Sequence, residues 1–321
     1  MKPIALVLAG GPDAERAVSI DSASAVAGSI ASGGLFESRL RVIDRPASLA
    51  EEPGDVVVPV LHGPWGEGGP LQDLLEADGR PYVGCRPDAA RLCMDKLASK
   101  RTATHVGLRT PPAHALVDPS PSHPIEAPAV IKPIRDGSSV NLHMCHDRES
   151  LERAREASMH AGTPMMIEKL IAGREITCGL IDTGLGLRAL PLIEIIPAEG
   201  VYDYEAKYDR DDTRYVVGSR ATPHADHARV QADSLVLASA LGVRHLARAD
   251  FIVDDQGEHH LLEINTMPGF TGHSLLPKAA SALGISMATL CTSLCEVALA
   301  EHSSPRAVRA DDAHHGANTE T

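Results

Sequence analysis

Aromatic side chains are scarce in this 321-residue sequence, at three Phe, one Trp and five Tyr, so any core must be built from aliphatic residues. No run approaches the ~18 consecutive apolar residues of a membrane-spanning helix, and no membrane association is expected. Positive charge is also in short supply. With 30 Lys and Arg against 43 Asp and Glu the formal net charge is −13, which repels phosphate backbones and anionic lipid surfaces. A nucleic-acid partner is therefore not expected. The six cysteines include no C-x-x-C pair and no regular spacing, as in a reduced cytosolic chain. Cys291 and Cys295 fall in an apolar pattern that indicates packing. The run from Met1 to Gly10 is too short for the apolar part of a secretory leader, so a cytoplasmic location is expected. No Walker A pattern occurs, and Gly10-Gly11 lacks the G-x-G-x-x-G dinucleotide fingerprint.

What is present is enough chain for two or three domains. Ile4 to Ala9 is a continuous apolar run of the kind a doubly buried strand shows, ended by Gly10-Gly11-Pro12. Asp13 is the expected N-cap of a following helix, with a stripe from Val18 to Ile30 and a stop at Gly33-Gly34. Strands at Arg39 to Ile43 and Asp55 to Val60 and a helix at Leu71 to Ala77 predict an open, mostly parallel α/β sheet over residues 1–85. Residues 86–172 predict a small α+β unit: one helix from Asp88 to Val106, a Pro-rich loop to Pro128, the strand Ala129 to Lys132, a helix around Ser150 to Ala161, and the strand Met165 to Lys169. Residues 173–301 predict a third α+β unit, with strands at Glu175 to Ile181 and Ala189 to Ile196, a helix from Ala225 to Leu241, two more strands and a terminal helix. Residues 302–321 lack periodicity and are expected to be a disordered tail. Its His314-His315 pair is read as an unstructured surface pair.

Two short stretches carry the sharpest geometry. Arg248 to Val253 and His260 to Asn265 form two strand-like runs joined through Asp255-Gln256-Gly257-Glu258. If Gln256 and Gly257 make the turn, Asp250 lies opposite Glu263 and Arg248 opposite Asn265. Period-two alternation then puts all four on one face, with Leu262 and Ile264 pointing the other way into a core. Facing carboxylates repel unless a cation or proton lies between them, and an Asp, Glu and Asn oxygen set suits a hard divalent ion such as Mg²⁺. The alternative is an Arg248 salt bridge with these acids on a solvated face. In the second stretch, Lys132 ends an apolar strand and is followed by Gly137-Ser138-Ser139. Free backbone N–H groups there suit phosphate oxygens, though an ordinary loop is the alternative. Four of the five tyrosines (Tyr202, Tyr204, Tyr208, Tyr215) crowd into one polar segment around Lys207. A lid over residues 200–218 is expected, an edge strand being the alternative.

Taken in order, these stretches resemble the D-alanine-D-alanine ligases of the ATP-grasp superfamily. The resemblance spans about residues 4 to 300. It rests on Gly10 to Ser19 with Glu15, Leu61-His62-Gly63 with Gly66-Glu67, Met94-Asp95-Lys96, Lys132-Pro133 with Gly137 to Val140, Glu168-Lys169-Leu170 with Gly173-Arg174-Glu175, Tyr202 to Tyr208, Arg248 to Asp250, and Leu262 to Gly269 with His273-Ser274-Leu275. It implies a three-domain ATP-grasp fold and ATP-dependent joining of two D-alanines. Lys96 and Lys132 would hold ATP phosphates under the Ser139 loop. Glu168, Lys169 and Leu170 would line the adenine, and Glu175 would accept from the ribose. Asp250, Glu263 and Asn265 would bind two Mg²⁺ or Mn²⁺ ions. Glu15, linked to Ser138 and Tyr208, would hold the first D-alanine, and Lys207 would reach the transferred phosphoryl group. Ser274 and Leu275 would meet the carboxylate of the second D-alanine, with Arg248 and the Gly269 N–H at the oxyanion. The family also implies a homodimer through the first domain.

The chemistry accounts for these residue types. A carboxylate must be phosphorylated before an amine attacks it, and lysines and cations spread the charge of the moving phosphoryl group. His62 is the candidate to orient or deprotonate the attacking amine, with simple packing as its alternative. Asn141 after Val140, Leu170 beside the adenine, and Pro64-Trp65 depart from the family pattern. They are expected to stiffen the phosphate loop, weaken stacking and reshape the second-substrate pocket, respectively. Alternative functions are a sibling ligase taking D-lactate, D-serine or another amino acid, and a non-catalytic nucleotide-binding module.

Overall fold

The apolar run near the start is buried almost along its whole length, as its lack of alternation requires. In a computed structural model, which describes residues 1–116, 125–137, 141–197, 213–218, 222 and 224–303, it forms β1 (Ile4–Gly10). Helix α1 (Arg16–Gly33) returns the chain to β2 (Glu37–Ile43), and β3 (Val56–Pro59) follows. The sheet is parallel in the order β2-β1-β3. Gly34 ends α1 in the left-handed region at φ 73°, where a Cβ would be strained. The cap of α1 differs from expectation. Glu15 holds the N-cap position, because the Asp13 carboxylate is engaged elsewhere, accepting from the N–H groups of Trp65 (2.8 Å) and Gly66 (3.3 Å). These belong to the short helix α2 (Gly63–Gly66), and α3 (Pro70–Asp78) follows.

The single helix expected from Asp88 to Val106 is two, α4 (Pro87–Met94) and α5 (Lys96–His105). Asp95 breaks it: its backbone is extended (φ −83°, ψ 100°) and its carboxylate accepts from the Ala98 N–H at 2.8 Å, capping α5. The central unit then adds β4 (Ala113–Leu116), β5 (Ala129–Pro133), β6 (His143–Cys145), α6 (Arg148–Met159) and β7 (Met165–Lys169). They make an antiparallel sheet ordered β4-β7-β5-β6, in which β4 and β6 were not expected.

The third sheet comprises β8 (Arg174–Asp182), β9 (Leu187–Ala189), β10 (Ile193–Ile196), β11 (Arg214–Val217), β12 (Leu246–Val253) and β13 (His259–Asn265). Its main path is β11-β10-β8-β12-β13, with β9 added to β8. The strand expected over Ala189 to Ile196 is split into β9 and β10 around Pro191, which has no N–H to donate to a ladder. Helix α7 (His227–Leu241) precedes β12. In place of one terminal helix there are α8 (Leu275–Ser281) and α9 (Met287–Ser303), so His302 and Ser303 are helical. The rest of the expected tail lies outside the described residues.

One face of this third sheet is core. Ile176, Cys178, Ala249, Phe251, Leu261 and Ile264 pack with Val230, Leu237 and Leu241 of α7. Helix α9 lies against α1, where Cys291 and Cys295 are buried beside Val26 and Ile30, as their apolar pattern predicted. On the sheet's other face Ile181, Ile193 and Leu246 pack with Leu276 of α8, and the remainder of that face carries the site.

Candidate active site

The β12–β13 ladder has the expected register where it matters. Asp250 pairs with Glu263 and Arg248 with Asn265. Strand β8 flanks β12 on its other side, with Thr177 opposite Asp250 and Glu175 opposite Ile252. Because side chains alternate, Thr177, Asp250 and Glu263 form a row across three strands. A β-bulge between Asp250 and Phe251 then shifts the pairing, so Phe251 meets Leu261. The expectation for Leu262 fails at this bulge. Ile264 is core, but Leu262 lines the cleft beside Glu263, because the extra residue of the bulge leaves two neighbours on one side.

The cleft lies between this face and the central sheet. Lys96, Lys132, Asp136, Gly137, Glu168, Lys169, Leu170, Glu175, Arg248, Asp250, Leu262 and Glu263 all line it. Val130, Leu142, Met144, Ile171, Ile195 and Ile252 supply an apolar wall, enough to hold a flat heterocycle. Lys132 and Glu168 meet because β5 and β7 pair Val130 with Glu168, which puts Lys132 on the same face one diagonal step away. Their ion pair is 2.6 Å. Burial works against the Lys132 ammonium, but Glu168 and Glu263 outweigh it and raise its pKa. Burial likewise opposes the Glu168 carboxylate, and Lys132 and Lys100 outweigh it and lower its pKa. Lys96 donates to the Asp136 carbonyl at 2.5 Å and pairs with Glu263 at 3.3 Å.

Of the two roles open to Arg248, the salt bridge is formed: its Nε and an Nη reach the two Asp250 oxygens at 2.9 and 2.7 Å. The face is not solvated, however, since Asp250 is only 6% exposed. Thr177 Oγ1 donates to the same carboxylate at 2.6 Å. Asn265 Oδ1 accepts from the Met267 N–H at 2.9 Å. Among the described residues no three His, Cys, Asp or Glu side chains cluster as a metal site. The oxygen set here is two carboxylates and an amide.

The start of α1 closes the far end. Glu15 is buried, and a Cβ on Gly137 would stand 2.9 Å from its Oε2, which places the two residues against each other. His62 is also buried, with Nδ1 3.0 Å from the Met267 carbonyl. That acceptor puts the proton on Nδ1 and leaves Nε2 as the basic nitrogen, and Nε2 is buried without a hydrogen-bond partner among the described residues. Burial holds this imidazole below its ordinary pKa, against the pull of Glu15. Glu67, whose two oxygens accept from the Gly63 and Met267 N–H groups at 3.2 Å each, is pushed up to about 8 by burial. Gly269 and Ser274 adjoin, since a Cβ on Gly269 would lie 2.9 Å from Ser274 Oγ. That hydroxyl accepts from the Thr271 N–H at 3.0 Å. The Leu275 side chain is core, not cleft.

Ser138, Ser139, Lys207 and Tyr208, with most of the expected lid, lie outside the described residues. Sequence reasoning missed Thr177, although its alternation with Glu175 on one strand marks it. It also missed Lys100, one helical turn after Lys96, and gave no role to Glu67.

Comparison with known proteins agrees with this geometry. A family model described as D-ala D-ala ligase C-terminus matches residues 121–296. A D-alanine--D-alanine ligase B of Chromobacterium violaceum is 39% identical, over 89% of this chain and 94% of that protein. The structure resembles a D-alanine--D-alanine ligase of Bacillus anthracis solved with ATP, with a TM-score of 0.80 at 31% identity, covering 94% of this chain and 98% of that one. It also resembles the VanG D-Ala:D-Ser ligase of Enterococcus faecalis, with a TM-score of 0.78 at 25% identity, covering 93% and 100%. The three sheets and the cleft between the second and third are those of an ATP-grasp enzyme. Within that class, the chain belongs to the D-alanine-D-alanine ligase family.

Proposed function

We propose that the cleft uses ATP to phosphorylate one D-alanine and then joins the acyl phosphate to the amine of a second, releasing ADP and phosphate. The chain is an ATP-dependent carbon-nitrogen ligase, and the dipeptide serves peptidoglycan synthesis. The observation that carries the proposal is the Asp250 and Glu263 pair on the cleft face, beside Lys96 and the Lys132–Glu168 ion pair. A decayed nucleotide-binding module would have no reason to retain it.

The roles proposed are those the resemblance implies, and the placement of the described residues around the cleft supports them. Lys96 and Lys132 hold the phosphates, Glu168, Lys169 and Leu170 border the adenine, and Glu175 accepts from the ribose. Glu15 binds the ammonium of the first D-alanine, and the basic Nε2 of His62 takes a proton from the second. Ser274 and the backbone at Leu275 receive the second carboxylate. Arg248 and the Gly269 N–H stabilise the tetrahedral oxyanion, a contribution typically of ~10² to 10³ in rate per donor. Ser138, Ser139, Lys207 and Tyr208 belong to the same proposal by resemblance alone.

Asp250, Glu263 and Asn265 offer only oxygen donors, which fits two Mg²⁺ or Mn²⁺ ions shared with ATP phosphates. Bound there, the cations would neutralise phosphate charge. Residues 1–85, 86–172 and 173–301 are proposed as the three domains, with a homodimer through the first. Supporting that contact, the edge strand β2 leaves Leu40 and Val42 more than 40% exposed; sedimentation would test it.

Phosphate release from ATP against a panel of D-amino acids tests the function. Turnover with D-alanine alone is expected. Turnover only with D-serine or D-lactate would make the chain a sibling ligase, a second reading that rests on the likeness to a D-Ala:D-Ser ligase and on Pro64-Trp65. ATP binding with no turnover would leave the non-catalytic module.

A further inference from the structure

Lys100 is 4% exposed and does not line the cleft, yet its ammonium is fully used. Nζ lies 2.9 Å from Glu168 Oε2, 2.8 Å from Thr110 Oγ1 and 3.1 Å from the Leu261 carbonyl. Thr110 Oγ1 in turn donates to that carbonyl at 2.9 Å. The Lys100 contacts therefore tie helix α5 to β7 of the central sheet and to β13 of the third sheet. The β13 contact falls on the residue just before Leu262 and Glu263, at the bulge that turns both into the cleft.

On the β7 side, the carboxylate of Glu168 is divided between two lysines, with Lys132 on Oε1 and Lys100 on Oε2. Oε2 meets the Lys100 ammonium as an ion pair at 2.9 Å and has no hydrogen-bond partner among the described residues. One anion between two buried cations leaves an excess positive charge, and Lys132 is the member facing the cleft. Without Lys100, Glu168 would keep a buried oxygen with no counter-charge, and taking up a proton would relieve it. A neutral Glu168 would no longer hold Lys132 in place.

We propose that Lys100 is a positioning residue for the nucleotide: through Glu168 it fixes the Lys132 ammonium, and through the Leu261 carbonyl it fixes the bulge that presents Leu262 and Glu263. It touches neither substrate. The inference rests on the cleft being the ATP site. The pairing is not a relaxed surface contact, because burial pulls the Lys100 pKa down to about 8 even with Glu168 beside it.

The test is the dissociation constant for ATP, measured by calorimetry on the whole chain, together with the KM for D-alanine and the melting temperature. Lys100→Met, of similar length and uncharged, is expected to weaken ATP binding about tenfold or more while the D-alanine KM stays within about twofold. A folded Lys100→Met with unchanged ATP affinity overturns the inference, as does an equal loss for ATP and D-alanine. Thr110→Val covers the case in which Lys100→Met does not fold, and it should weaken ATP binding by a smaller factor with D-alanine unaffected. Unchanged ATP affinity in Thr110→Val overturns the inference as well. Wild-type chain that binds no ATP would refute the assignment of the cleft itself, and the variant ratios are read only against measurable wild-type binding.

Discussion

Among the described residues two arginines each grip an aspartate two residues away, and they serve different ends. Arg80 meets the two oxygens of Asp78 at 2.6 and 2.9 Å, and Arg248 meets those of Asp250 at 2.7 and 2.9 Å. Both arginines are largely covered, and both pairs border a cavity. Arg80 also donates to the carbonyls of Leu49, Glu52 and Gly54, so its guanidinium laces down the loop between β2 and β3. Around Arg248 the neighbours are Thr177, Glu263 and Asn265, groups that a cation or substrate would engage. Ion-pair geometry alone therefore does not tell a functional pair from a structural one; the identity of the surrounding partners does.

The contrast is most open to breakage at Asp250. Asp250→Asn is expected to remove ligation almost completely, by well over ~10² in kcat, with cooperative unfolding retained. Near-normal turnover would put Asp250 in the same structural class as Asp78. Arg80→Ala should do the reverse. Breaking a largely buried pair costs about 3 kcal/mol in urea unfolding, while kcat per folded molecule should hold; a fall in kcat without lost stability would erase the distinction. The smallest effect sharpens the site side of the comparison. The Glu67 pKa is raised in the folded state, from 4.5 to about 8, chiefly by burial. Its stabilising contribution is thus complete below about 4.5 and is lost as pH rises through about 8, at a slope of at most about 1.4 kcal/mol per pH unit. Melting temperatures of wild type and Glu67→Gln across that window should converge in slope at its two ends; parallel curves throughout would show that Glu67 does not titrate there.

The sequence was legible where one physical rule acts alone. Period-two alternation and a glycine turn were enough to place Asp250 opposite Glu263, and the unbroken run Ile4 to Ala9 was enough for a doubly buried strand. It was not legible where a distant contact decides. The bulge that turns Leu262 into the cleft leans on Lys100 and Thr110 bonding the Leu261 carbonyl across 151 or more positions. Strands β4 and β6, of four and three residues, are too short to show a period. Asp95 breaks a helix that composition alone would run straight through, although its capping chemistry was readable. Lys96, Lys132, Glu168 and Glu175 gathered as the resemblance implied, whereas the Leu275 side chain went to the core.

The irregularity between Asp250 and Phe251 has one more effect. Pairing on the Asp250 side of it and pairing toward the hairpin tip are set independently, because the extra residue absorbs a mismatch between them. The tip has its own fastenings, Asp254 to His260 and Asp233 to His259. A segment of different length spliced in at Asp254 to Glu258 would accordingly be buffered before it reached the chemistry, which makes that tip a place to insert a tag or reporter in this enzyme.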